Sequence, residues 1–143
     1  GDTLTKYAGF AGFLKQNTTG STYVTVPQVL TVSAVGSDRG LIDVSAHGDT
    51  WADYIVGRQD GAEVEITFLW DPANTVHQTI KTDYDAVTPT ARSYELQHPS
   101  WTTAYRFPTI PSHWDVEATD DGGMEAHVTL KIITPGVSTV TPS

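Results

Sequence analysis

The chain contains no cysteine. Thiol catalysis, disulfide staples and thiolate zinc sites are thereby excluded, and the redox compartment is left undetermined. Basic residues are scarce as well: 8 Lys and Arg stand against 17 Asp and Glu, for a net charge of -9. Lys6, Lys15, Arg39, Arg58, Lys81, Arg92, Arg106 and Lys131 are scattered along the chain, so no cationic cluster exists to neutralise nucleic-acid phosphates. No apolar run is long enough to span a bilayer. The opening "GDTLTKYAGFAGFLK" lacks the basic-then-apolar order of a secretory signal. Catalytic motifs are equally sparse. There is no G-x-S-x-G elbow, no H-E-x-x-H and no glycine-rich loop leading into a helix that would cradle phosphate.

What is present is alternation. The length of 143 residues suits one domain, and a hydrophobic fraction of 38% with 4 Trp, 6 Tyr and 4 Phe suffices for a core. In "AEVEITFLW", Ala62, Val64, Ile66, Phe68 and Trp70 share one parity and Glu63, Glu65 and Thr67 the other. "HWDVEA" sets Trp114, Val116 and Ala118 against His113, Asp115 and Glu117. "MEAHVTLKII" sets Met124, Ala126, Val128, Leu130 and Ile132 against Glu125, His127, Thr129 and Lys131. "TYVTVPQVLTVSAV" behaves alike, with Val24, Val26, Leu30, Val32 and Ala34 on the apolar side. Period two with one apolar face predicts half-buried antiparallel strands. Shorter strands are expected over 42–46, 92–97 and 102–107, and "DDGG" predicts a hairpin turn between the last two long strands. "PTIPSH", residues 108–113, reads as a turn or loop.

One segment changes period. After Asp71 as N-cap and Pro72 at the first helical position, Ala73, Val76, Ile80 and Tyr84 recur at helical spacing. A single helix over 72–84 is therefore expected. Residues 1–20 and 135–143 read as terminal arms, the first with Phe10, Phe13 and Leu14 as apolar anchor points. Residues 36–60 read as one long loop, and a loop of that length in a compact domain is usually functional. Its aromatic and aliphatic residues, mixed with Arg58, suit an interface. The expected contacts to neighbouring copies are Ile42, Asp43, His47, Asp49, Trp51, Tyr54, Ile55 and Arg58. Trp51 and Trp101 fall in expected loops and are free for contacts; the five His residues are dispersed and read as surface or interface hydrogen-bonders.

The order "GLIDVSAHGDTWADYIVGRQDGAEVEITFLWDP" resembles the central region of tail tube (major tail) proteins of long, non-contractile-tailed, siphovirus-type viruses. The elements that carry the resemblance are the strand Ile42-Asp43-Val44-Ser45, the polar loop, Gly57, the Asp60-Gly61 turn, the acid-apolar strand 63–70 and Asp71-Pro72 opening a helix. "YRFPTIPSHWDVEA" and "GGMEAHVTLKIITPGV" are similar to the closing half of that family. The resemblance implies a mainly β fold of two packed antiparallel sheets, a sandwich or partial barrel, with one flanking helix. It implies a structural virion protein that forms stacked hexameric rings, a tube through which viral DNA passes, with other tail proteins (tape measure, terminator, baseplate) as partners. The protein would be assembled in the host cytoplasm.

A channel for DNA should repel phosphate mildly, and Glu63, Glu65, Asp115 and Glu117 are the candidate lumen-facing acids. No cofactor, metal or membrane is expected. Competing readings are a tail-terminator or baseplate ring of similar fold and a secreted β-sandwich binding carbohydrate through Trp51 and Trp101. A metal-assisted hydrolase using His47, Asp49 and Asp53, and an ion near Asp120 and Asp121, complete the alternatives.

Overall fold

The structure is a computed structural model of the chain. It describes residues 13–18, 22–36, 40–44, 48–58, 62–88, 90–98, 101–118, 123–134 and 136–140, with the backbone alone at Phe13, Leu41, Asp43, Asp49 and Arg58. The strands are β1 Phe13–Asn17, β2 Tyr23–Thr25, β3 Val29–Gly36, β4 Gly40–Asp43, β5 Glu63–Leu69, β6 Arg92–Gln97, β7 Ala104–Ala118, β8 Met124–Ile132 and β9 Ser138–Val140. Two helices interrupt them, α1 Gly48–Arg58 and α2 Thr75–Asp85. Eight strands follow one hydrogen-bonded path, β2-β1-β6-β7-β8-β5-β3-β4, and β9 joins beside β7. All the pairings are antiparallel.

The mainly β expectation holds, but the described residues form one continuous sheet where two were expected. The reason lies in β7. Its first half pairs with β6, Tyr105 opposite Leu96 through Thr109 opposite Arg92. Its second half pairs with β8, down to Ala118 opposite Met124. One long strand thus stitches the two halves of the sheet together. Residues 108–113 lie inside it and are not a turn. Pro108 has no N–H to donate, and its carbonyl accepts from Ile133 N (3.0 Å), so its donor-less side faces the gap between β8 and β9. Pro111 sits at a bulge between Pro111 and His113, beyond the reach of β6. Both prolines therefore occupy places where the ladder needs no donor.

The alternation of β5 and β8 places Val64, Ile66 and Phe68 against Val128, Leu130 and Ile132 in the core. Leu14 of β1, Leu96 of β6, Val32 of β3 and Ile42 of β4 belong to the same apolar cluster. Strands from opposite ends of the path share one interior, so the sheet curls around it. In β3 the expected parity slips: a bulge between Val29 and Thr31 buries Val29 and leaves Leu30 half-exposed. Gln28 enters this bulge with φ 63°, in the left-handed region.

Part of each expected arm is sheet. Phe13–Asn17 is β1, with Leu14 buried, and Ser138–Val140 pairs with β7. Phe10 lies outside the described residues, as do Asp120 and Asp121, where the hairpin turn was expected. The expected loop 36–60 contains the end of β3, β4 and α1. The second helix starts later than expected. Asn74 is its N-cap, its Oδ1 accepting from Val76 N (2.9 Å) and His77 N (3.2 Å), while Asp71 accepts from Ala73 N (3.0 Å) in the turn before it.

Candidate functional site

Register builds the first region of interest. Glu65 lies opposite Thr129, which lies opposite His113; Thr67 opposite His127, opposite Asp115; Leu69 opposite Glu125, opposite Glu117. Glu63 lies opposite Lys131. Paired residues share a face, so the four acids expected together, Glu63, Glu65, Asp115 and Glu117, do occupy one side of β5-β8-β7, away from the core. Glu125 adds a fifth carboxylate, and Lys131 is the lysine that answers them on these strands. Glu63 and Glu65 are half-buried between neighbouring strands, while Asp115 and Glu117 are exposed.

At one end of that face Glu117, Glu125 and His127 converge, with one ligand-type atom from each within 4.8 Å of the others. His127 Nε2 stands 2.9 Å from Glu117 Oε1 and 3.2 Å from Glu125 Oε1, and its Nδ1 stands 3.2 Å from Thr67 Oγ1. No sequence motif marks this group, although the expected hairpin and the alternation of 113–118 and 124–132 together bring Glu117 near Glu125 and His127.

The second region is α1. Trp51, Ala52 and Ile55 recur at helical spacing and are buried against the sheet, where α1 lies over β3 and β4. Trp51 stacks on Trp101 (centroids 6.1 Å apart, 27° between planes) and meets Tyr105 and Phe107 at 6.5 and 6.3 Å. Trp51 and Trp101 are therefore partners of each other and not free platforms. Of the expected intersubunit contacts, Ile42, Trp51 and Ile55 are enclosed in the chain's own core, and Tyr54 is half-buried. Asp53 and Val56 form the exposed side of α1. His47 and the side chains of Asp43, Asp49 and Arg58 lie outside the described residues.

The other polar groups hold structure together. His77, expected at a surface, is buried: Nδ1 accepts from Asp71 N (3.0 Å), so Nε2 carries the proton and donates to Pro27 O (2.9 Å). Phe68, Trp70 and Trp114 surround this seat of α2. Arg92 bonds Asp83 and the Asn17 carbonyl (2.8 Å), and the Asp83 hydrogen bond raises its pKa. Glu95 is buried and accepts from Arg106 Nε (2.8 Å) and Gln97 Nε2 (3.1 Å). Tyr94 is buried too; its hydroxyl accepts from Gln16 Nε2 (3.2 Å), and burial drives its pKa well above the usual phenol range.

Among the described residues the architecture is one curled antiparallel sheet carrying two short helices. No protein-family model matches this chain, and no curated protein does. Among solved structures it is similar to the SPP1 tail tube, determined as a hybrid of solid-state NMR and cryo-EM. The TM-score is 0.61 at 10% sequence identity, over 92% of this chain and 77% of that one. The chain has that fold.

Proposed function

We propose that this chain is a structural, non-enzymatic subunit of a viral tail tube. The observation that carries the proposal is the shared fold with the SPP1 tail tube over 92% of the chain. In this reading identical subunits close into hexameric rings, the rings stack into a tube, and DNA passes along it during ejection. Other tail proteins bind the tube ends, and the protein resides in the virion tail. The acidic face of β5-β8-β7 supports the reading: a wall that carries Glu63, Glu65, Asp115, Glu117 and Glu125 repels phosphate over roughly 8 Å at physiological salt, so DNA slides without adhering. Among the described residues the sheet path ends at β2 and β4, and these edges offer backbone groups to a neighbouring copy. Contact between rings falls to the exposed side of α1, around Asp53, Tyr54 and Val56, with Asp43, His47, Asp49 and Arg58 nearby in sequence. Ile42, Trp51 and Ile55 contribute by holding α1 in place.

Negative-stain electron microscopy across a protein and salt series tests this. Rings or hollow tubes are expected, with tube length rising with concentration. Uniform small particles under every condition would overturn it.

A further inference from the structure

The geometry points to a divalent-cation site of the zinc class at Glu117, Glu125 and His127. Glu117 and Glu125 are directly opposed across β7 and β8, an arrangement of like charges that destabilises a strand pair unless a cation stands between them. His127 Nε2 lies 2.9 and 3.2 Å from their oxygens. Two donors held about 2.0–2.2 Å from one ion, subtending between a right angle and the tetrahedral angle, stand about 2.8–3.6 Å apart. The spacing of this nitrogen from each oxygen is thus that of two ligands of one metal.

Bond direction supplies the second observation. Nε2 is shielded from solvent, yet no hydrogen bond from it is directed at either carboxylate or at any other group. The separations are also those of an ion pair, but neither contact has the geometry of a hydrogen bond, which weakens steeply when misaligned. On the far side of the ring Nδ1 meets Thr67 Oγ1 at 3.2 Å. With Nδ1 as the proton donor to Thr67, Nε2 keeps its lone pair free for a metal ion. This is how a metal-binding imidazole is oriented by a partner behind it. One nitrogen and two carboxylate oxygens favour zinc, cobalt or nickel over magnesium and calcium, which take oxygen shells. Glu117 has a side chain 63% exposed, so an ion enters from solvent after folding, and water completes its coordination.

The test uses the full chain near neutral pH, titrated with zinc chloride in a non-chelating buffer and followed by calorimetry and by histidine ring nitrogen NMR. One zinc per chain is expected, with the His127 Nε2 resonance moving and the Nδ1 proton kept; magnesium and calcium should leave the ring unchanged. Glu117→Gln, at an exposed position with little bearing on folding, should weaken zinc at least about tenfold, and Thr67→Val about tenfold. His127→Gln should abolish one-site binding with the circular dichroism unchanged. No zinc binding, with His127 found doubly protonated, would show an ion pair only and overturn the site. Equal zinc affinity in Glu117→Gln and His127→Gln would overturn it as well. Neither outcome bears on whether the chain forms rings.

Discussion

The two helices have the same length, 11 residues each, and are held by different means. The seat of α2 begins with polar bonds: Asn74 caps its first turn, and His77, inside that turn, bonds Asp71 close by and Pro27 fifty residues earlier in the chain. The seat of α1 is apolar and remote: Trp51 rests on Trp101, Tyr105 and Phe107, some fifty residues later in the chain. A helix of this length is marginal in isolation, so each depends on its seat. A capped helix announces itself in sequence, while a helix made by distant aromatics does not.

Substitutions can break the comparison on either side. Trp51→Ala should cost about 4 kcal/mol, the range for truncating a buried large aromatic, and should release α1 while α2 persists. Chemical denaturation with helix-resolved hydrogen exchange would show which helix goes. His77→Leu keeps bulk but leaves the Pro27 carbonyl and the Asp71 N–H unpaired, so a loss of about 3 kcal/mol confined to α2 is expected by the same measurement.

A pH titration sharpens the contrast. Gln16 Nε2 links the Tyr94 hydroxyl to the Val76 carbonyl of α2 (3.3 Å). Because burial raises the pKa of Tyr94, the folded chain keeps the phenol proton above about pH 10, where the unfolded chain releases it. Stability is thus unaffected by this group below about pH 10 and falls above it, by at most about 1.4 kcal/mol per pH unit. Tyr94→Phe should flatten that limb in alkaline denaturation curves. Asn74→Ala should cost about 1 kcal/mol, read as a lowered denaturation midpoint. The smallest stability effect belongs to Val56→Lys, within about 0.5 kcal/mol, because Val56 lies on the exposed side of α1. If that side joins rings, the same substitution should still suppress tube growth in micrographs. Unchanged tubes would remove α1 from the stacking contact.

Much of this was legible. The strands β5, β6 and β8, the hairpin of β7 with β8, and the shared face of Glu63, Glu65, Asp115 and Glu117 all follow from period two, since each pleat position is set by its own neighbours along the chain. The existence of α2 was legible from Val76, Ile80 and Tyr84, but its start was not. Asp71 and Asn74 are both good caps, and the choice between them turned on His77 reaching Pro27. Residues 48–58 were misread as a loop because Trp51, Ala52 and Ile55 form too short a stripe to stand out from Asp49, Asp53 and Arg58. The cluster of Glu117, Glu125 and His127 was readable only in part: alternation places all three on polar faces, but their convergence needs the register of β7 on β8.

By itself, then, the sequence determined the strand-rich class, the acidic character of one face and the exclusion of thiol chemistry, because composition and periodicity are local properties. The tertiary structure alone decided that Trp51 belongs to the core, that Pro108 and Pro111 ride within a strand, and that one sheet curls where two were expected. Each of those outcomes depends on groups far apart in the chain. Burial of an aromatic, placement of a missing N–H and the sharing of one long strand between β6 and β8 acquire their energies only when those groups meet.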